Sequence, residues 1–143
     1  MKISTKSRYG LAFMVCLAEK INDVQTASDI AFKLNISKLY LEQVIQDIRN
    51  TGLITSIRGT RGGYKLNKSP SSITIWEILK VTEAMLADDR ELCPQNEAFA
   101  YIYRAIDKKV LLALDKALYE SLSKITLQDV IDAATESGEM FYI

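Results

Sequence analysis

Seven residues, Arg58-Gly59-Thr60-Arg61-Gly62-Gly63-Tyr64, constrain this chain more than any other stretch. They lie between two short strand-like runs, Leu53–Ile57 and Tyr64–Asn67, and so read as the tip of a β-hairpin. Three glycines free the backbone for tight turning and close approach to a surface. Arg58 and Arg61 then project from a small tip. A hairpin of this kind, placed directly after a helical segment, suits the insertion of guanidinium groups into a DNA minor groove. The expectation is a winged helix, which the preceding residues must supply.

They do so in three helical segments. Ser4 can cap a helix from about Thr5 to Ile21, apolar on almost every face through Tyr9–Ala18 except at Gly10. A helix like that is packed on two sides. Thr26-Ala27-Ser28-Asp29 resembles a capping box with Asp for the usual Glu. It starts a short helix carrying Ile30, Ala31 and Leu34, with Asn35 suited to the left-handed stop. Ser37 caps the next helix, from about Lys38 to Asn50. There Leu41, Val44, Ile45 and Ile48 fall at i, i+3, i+4 and i+7 and make one buried stripe. Gly52 closes it. Two helices joined through Asn35-Ile36-Ser37 form a helix-turn-helix, and the hairpin follows immediately.

Beyond Pro70, Thr74-Ile75-Trp76-Glu77 is a true capping box opening a helix to about Ala87. Residues Ala87–Asn96 lack periodicity and read as a loop. A long helix is expected from about Glu97 to Leu122, roughly 37 Å at 1.5 Å per residue. Its apolar residues include Phe99, Ile102, Tyr103, Ile106, Val110, Ala113, Leu114 and Ala117, with Leu111, Leu118 and Leu122 beside them. That stripe is too wide for a helix resting on one small domain, and pairing with a second copy would bury it. Thr126-Leu127-Gln128-Asp129 begins a last short helix. The polar Glu136-Ser137-Gly138-Glu139 then leads into an apolar end, Met140-Phe141-Tyr142-Ile143. The fold class is mostly α with a small β-hairpin wing. Residues 1–68 form a winged helix-turn-helix DNA-binding domain, and residues 69–143 form a helix, loop, long dimerisation helix and C-terminal tail.

Composition narrows the function. The net charge is zero over 143 residues, but residues 1–68 hold 11 Lys+Arg against 5 Asp+Glu and residues 69–143 hold 7 against 13. The basic half (+6) can meet a polyanion while the acidic half (−6) faces away. No histidine is present, which excludes Ser-His-Asp and Cys-His catalysis and histidine metal sites. The glycine-rich hairpin lacks the strand–loop–helix context of a P-loop. An enzyme is not expected, nor a cofactor or metal. No apolar run approaches the roughly 18 residues that span a bilayer, and the basic start lacks the apolar core of a signal peptide. Cys16 and Cys93, without pattern, fit a reducing cytoplasm.

Helix-turn-helix proteins present the first turns of the second helix to base edges in the major groove. The candidates are Ser37, Lys38, Leu39, Tyr40, Glu42 and Gln43. Glu42 can accept from a cytosine amino group, Gln43 can pair with adenine, and Leu39, off the buried stripe, can meet a thymine methyl. Tyr40 reads equally well as a half-buried cover over the turn. Lys2, Lys6, Arg8, Arg49 and Lys65 suit phosphate contacts, and Arg58, Arg61 and Tyr64 belong to the wing.

The stretches Lys2–Gly10, Tyr40-Leu41-Glu42-Gln43, Arg49-Asn50-Thr51-Gly52-Leu53 and Ile57–Tyr64 closely resemble the Rrf-two type of winged-helix transcriptional regulators, the IscR/NsrR/CymR family. The likeness covers essentially the whole chain. It implies a homodimeric repressor on a pseudo-palindromic operator, with the helix over 38–50 in the major groove, Arg58 in the minor groove and Glu42 selecting bases. Cluster-binding relatives carry three closely spaced cysteines before the long helix. Here that loop holds only Cys93, whereas an iron–sulfur cluster normally takes four thiolates. In its tail, and in lacking those cysteines, the chain most resembles the cluster-free, cysteine-metabolism branch of the family. Acidic neighbours Asp88, Asp89 and Glu91 disfavour a Cys93 thiolate, so Cys93 reads first as an ordinary exposed cysteine and second as a redox sensor. The tail has two readings. By physics alone Met140–Ile143 folds onto its own dimer or frays. By its resemblance to that branch it engages cysteine synthase, whose active site accepts peptides ending in isoleucine. The rival to a DNA-binding regulator is an interaction module that docks a metabolic enzyme through this tail.

Overall fold

The computed structural model describes residues 2–83, 86 and 97–141, with the backbone alone at Glu97 and over 138–141. Cys93, the loop expected over 87–96, and the terminal Tyr142 and Ile143 lie outside these residues.

All five expected caps start their helices by the same device, a hydroxyl that accepts an orphan N–H of the first turn. Helix α1 (Thr5–Glu19) has Ser4 Oγ bound to Ser7 N–H at 3.1 Å. Helix α2 (Ala27–Leu34) has Thr26 Oγ1 bound to Asp29 N–H at 3.0 Å. Helix α3 (Lys38–Arg49) has Ser37 Oγ bound to Tyr40 N–H at 3.2 Å. In α4 (Ile75–Thr82) the Thr74–Glu77 capping box is complete in both directions. Thr126 and Asp129 make the fifth cap, also reciprocal, at the start of α7 (Leu127–Phe141). Asn35 ends α2 in the left-handed conformation, at φ 55°.

Leu41, Val44, Ile45 and Ile48 are all buried, as their spacing requires. At about 1.5–3 kcal/mol per fully buried side chain, these four outweigh any surface ion pair in fixing α3. The core they join extends past residue 68. Phe13, Met14 and Leu17 of α1 share one cluster with Ile73, Ile78 and Leu79 around α4 and with Leu127 of α7. The starts of α4 and α7 are stitched together through Ile75 N–H to Ile125 O at 2.9 Å and Leu127 N–H to Ile73 O at 2.8 Å. Strands β1 (Ile54–Ile57) and β2 (Gly63–Leu66) pair antiparallel with Ile54 opposite Leu66 and Ile57 opposite Gly63.

Four expectations need correction. Helix α1 stops at Glu19 rather than Ile21, because Lys20 turns out of helical geometry and its carbonyl accepts from Asp23. Helix α4 stops at Thr82, well before Ala87. Glu83 leaves the helix there, and its carboxylate turns back to the start of α1. The long helical stretch runs from 97 to 122 but is not one α-helix. A 3₁₀ turn at Glu97–Phe99, α5 (Ala100–Ile106), a π turn at Asp107–Leu111 and α6 (Leu112–Leu122) follow in line. In the π turn Leu112 N–H reaches Asp107 O, one residue further back than α geometry. Finally, α7 is not short. It carries through Glu136-Ser137-Gly138-Glu139 to Phe141, so Met140 and Phe141 continue a helix instead of starting a tail. A single glycine costs a helix only about 1 kcal/mol, and no proline stands nearby to stop it.

Candidate nucleic-acid interface

The burial of α3 turns its other face outward. Ser37, Lys38, Leu39, Glu42 and Gln43 are all exposed, with Leu39 at 69%. A leucine so exposed on the first turn of a helix contributes nothing to this chain's own core. Lys38 Nζ lies 3.8 Å from Glu42 Oε1 at i,i+4, a surface pair worth only a few tenths of a kcal/mol. Such a pair releases either partner to a ligand at little cost. Tyr40 is half-buried, its ring edge-on to Tyr9 at 5.5 Å, so it covers the turn and presents only part of itself outward.

The wing is built to hold its arginines away from the body. Gly62 N–H bonds Gly59 O at 3.0 Å, which closes the tip, and Arg58 and Arg61 are both exposed. Among the described residues no carboxylate pairs with either guanidinium. Tyr64 is half-buried, edge-on to Phe13 at 5.8 Å, and anchors the hairpin to the core. Between wing and recognition face lies a polar cleft of about 320 Å³, lined by Thr26, Ser28, Lys38, Glu42, Ser56 and Tyr64.

Phosphate candidates divide. Lys2, Arg8 and Arg49 are exposed, and Lys65 is partly so. Lys6 is also partly covered, and its ammonium is taken by the Asp47 carboxylate of α3. That pairing makes Lys6 a tie between α1 and α3 before it is anything else. It counts against Lys6 as a free phosphate ligand.

Two residues that organise this surface escaped the sequence reading. Gln25 forms an isolated antiparallel bridge with Tyr64, giving N–H to Tyr64 O at 3.0 Å and accepting from Tyr64 N–H at 2.7 Å. Its side-chain amide also donates to Cys16 O at 2.8 Å, one of the carbonyls left over at the end of α1. A Cβ at Gly63 would run into the Gln25 carbonyl, so the approach needs that glycine. The only available signal was that Gln25 precedes an N-cap and is therefore extended. The other missed residue is Glu83, whose carboxylate makes its hydrogen bonds at the start of α1, far along the chain from its own helix.

The cysteines give a mixed picture. Cys16 is buried in α1, and burial pushes its thiol pKa up, which keeps it protonated. Among the described residues no group of three or more His, Cys, Asp or Glu side chains is placed to hold a metal ion. Likewise, among the described residues no helix is long and apolar enough to cross a membrane.

The family model for Rrf2, described as iron-dependent transcriptional regulators, matches residues 3–133. The HTH-type transcriptional regulator CymR of Bacillus subtilis is 39% identical over 144 residues, covering all of both chains. The regulator NsrR of Bacillus licheniformis is 35% identical over 136 residues, 92% of each chain. The solved structure of CymR, titled the global cysteine regulator of B. subtilis, superposes with a TM-score of 0.69 at 35% identity, covering 93% of this chain and 98% of that one. The iron in the family description meets a poor donor set here. With no histidine and two cysteines, one of them buried in α1, these residues do not fit a cluster held by four thiolates of one chain.

Proposed function

The chain belongs to the Rrf2 family of transcriptional regulators, and from that premise we propose how its surface meets DNA. The protein is a DNA-binding regulator and not an enzyme. In our reading it is a cytoplasmic homodimeric repressor without an intrinsic iron–sulfur cluster. Residues 1–68 supply the DNA contacts and residues 69–143 the dimer contacts.

One observation carries the DNA-binding mode. Lys38 and Glu42 of the exposed α3 face and the wing residues Ile57, Gly62 and Gly63, next to Arg58 and Arg61 in sequence, line the same polar cleft. A phosphate strand running through that cleft would bring α3 into the major groove and Arg58 and Arg61 into the adjoining minor groove. Glu42 and Gln43 then choose bases, Leu39 meets a thymine methyl, and Lys2, Arg8, Arg49 and Lys65 position the backbone. Two half-sites about one helical turn apart, ~34 Å, or a multiple of it, would make a pseudo-palindromic operator. Selection of bound fragments from genomic DNA, followed by titration in rising salt, tests this reading. Affinity should fall steeply with salt as counterions are released. Salt-insensitive binding, or no preferred fragment, would refute it.

The CymR likeness supports cysteine metabolism as the regulated pathway. We further propose cysteine synthase as a partner of Met140–Ile143, which the tail's resemblance to the cysteine-metabolism branch implies, although a helix that runs to Phe141 would have to give up its last turn to enter an active site. Deleting those four residues should abolish co-elution with the enzyme and leave the dimer intact.

A further inference from the structure

Helix α1 opens without a carboxylate of its own. Ser4 is its N-cap, Ser7 stands at the third helical position, and its first turn holds no acidic residue. In an ordinary capping box the third residue is a glutamate that reaches back to the cap N–H, as Glu77 does for Thr74 at 2.8 Å. For α1 that acceptor comes from the far side of the chain. Glu83 Oε2 accepts from Ser4 N–H at 3.0 Å and from Ser7 Oγ at 2.6 Å, and Ser4 Oγ lies 3.1 Å from the same atom.

The joint is sealed from water on its inner side. Ser7 and Thr82 are buried, and their hydroxyls meet at 3.0 Å. One turn along α1, a Cβ on Gly10 would stand 3.1 Å from Thr82 Cγ2 and 3.4 Å from side-chain atoms of Val44 and Ile48. Helices α1, α3 and α4 are thus in direct contact there, with no slack to absorb a shift at Glu83. The Ser7 hydrogen bond holds Glu83 below the usual carboxylate range, so it is an anion at the positive end of α1. Charge-assisted bonds of this kind are the stronger class.

We propose that Glu83 is a positioning residue for DNA binding: it completes the α1 capping box from outside the winged helix and holds Lys2 and Arg8 at the DNA backbone. This rests on the DNA-binding mode proposed above. Glu83 ends α4, so the same carboxylate ties the part of the chain that leads towards the long helix to the part that meets phosphate. Movement of one is then movement of the other.

The test uses the full-length protein and a duplex recovered by genomic selection on the wild type, titrated between 50 and 200 mM salt, the range over which phosphate contacts show most clearly. Failure of the wild type to bind in a salt-dependent way would sink the binding mode itself, and only a binding wild type tests the joint. Glu83→Ala should then bind at least about fivefold more weakly, with a salt slope shallower by about one for each phosphate contact released, and with an unchanged dimer in sedimentation. Glu83→Gln, which keeps an acceptor oxygen without the charge, should fall between. Wild-type affinity in Glu83→Ala overturns the proposal. So does weaker binding at the wild-type slope, which would mark Glu83 as a structural residue only. Should Glu83→Ala not fold, the slope of Glu83→Gln decides.

Discussion

On α3, Leu41, Val44 and Ile48 are completely buried, whereas on α5 and the π turn after it Ile102, Ile106 and Val110 stand 42%, 44% and 56% exposed. Both helices carry apolar residues at helical spacing, so periodicity alone cannot separate them. What separates them is the partner. The stripe of α3 is covered by α1 and α4 of its own chain, but among the described residues nothing covers the outer face of α5. Even α6 is divided, since Leu118 and Leu122 rest on the core while Tyr119, in a T-shaped contact with Trp76, stays exposed. Exposed apolar surface of this extent marks an interaction face. The comparison therefore assigns the core shared by α1, α3 and α4 its own stability and makes the exposed face of residues 100–110 dependent on another molecule, which we take to be a second copy.

The sharpest way to break that comparison is Ile106→Glu. A buried charge at the centre of a self-complementary interface should cost dimerisation about 2–4 kcal/mol or more, and operator binding should collapse with it because one half-site remains. The isolated fold should melt as before, since Ile106 supports no core of its own. Sedimentation decides the matter. An unchanged dimer would show that α5 is not the self-association face and that the contrast with α3 has been misread.

A smaller effect should come from the wing. Arg58→Ala removes an exposed guanidinium that pairs with no carboxylate among the described residues, so its effect should appear in DNA affinity, at roughly 1–3 kcal/mol if it enters a groove. Titration of the selected duplex would reveal it. Equal affinity in wild type and variant would remove Arg58 from the interface and leave sequence reading to α3 alone.

These contrasts also explain what could be read in advance. Caps are local, so Ser4, Thr26, Ser37 and Thr74 could be recognised from the few residues that follow them. The α3 stripe was legible because its partners bury every member. The wing was legible because Gly59, Gly62 and Gly63 have few other uses at that spacing. What escaped were contacts between residues far apart in the chain. Nothing near Glu83 announces that it will cap a helix starting at Thr5, and so the end of α4 was misplaced. Nothing near Lys6 announces Asp47. The π turn at Asp107–Leu111 was hidden because one extra residue in a helical turn leaves the pattern apolar on one side. In the candidate site the exposed face of α3 was read correctly as a surface, while the residue that sets the wing, Gln25, was missed because its pairing is made by backbone atoms.

The smallest expected effect contrasts the joint with the core through pH. Glu83 has its pKa lowered in the folded protein, first by the Ser7 hydrogen bond and then, against an opposing effect of burial that exceeds either of them, by the two bonds from Ser4. A depressed carboxylate stabilises the fold fully above its unfolded value, about 4.3 for a glutamate, and loses that contribution as pH falls below it. Cys16 is shifted the other way, because burial in α1 favours the neutral thiol. Its contribution is complete below the ordinary thiol value of about 8.5 and is lost as pH rises beyond it. Thermal melts across pH should therefore show an acid limb that Glu83→Gln flattens and an alkaline limb that Cys16→Ala flattens, each variant leaving the other limb unchanged. An acid limb equally steep in Glu83→Gln would mean the carboxylate is not ionised in the joint. The α1 cap would then be held by neutral hydrogen bonds alone, and the tie between the two halves of the molecule would be correspondingly weaker.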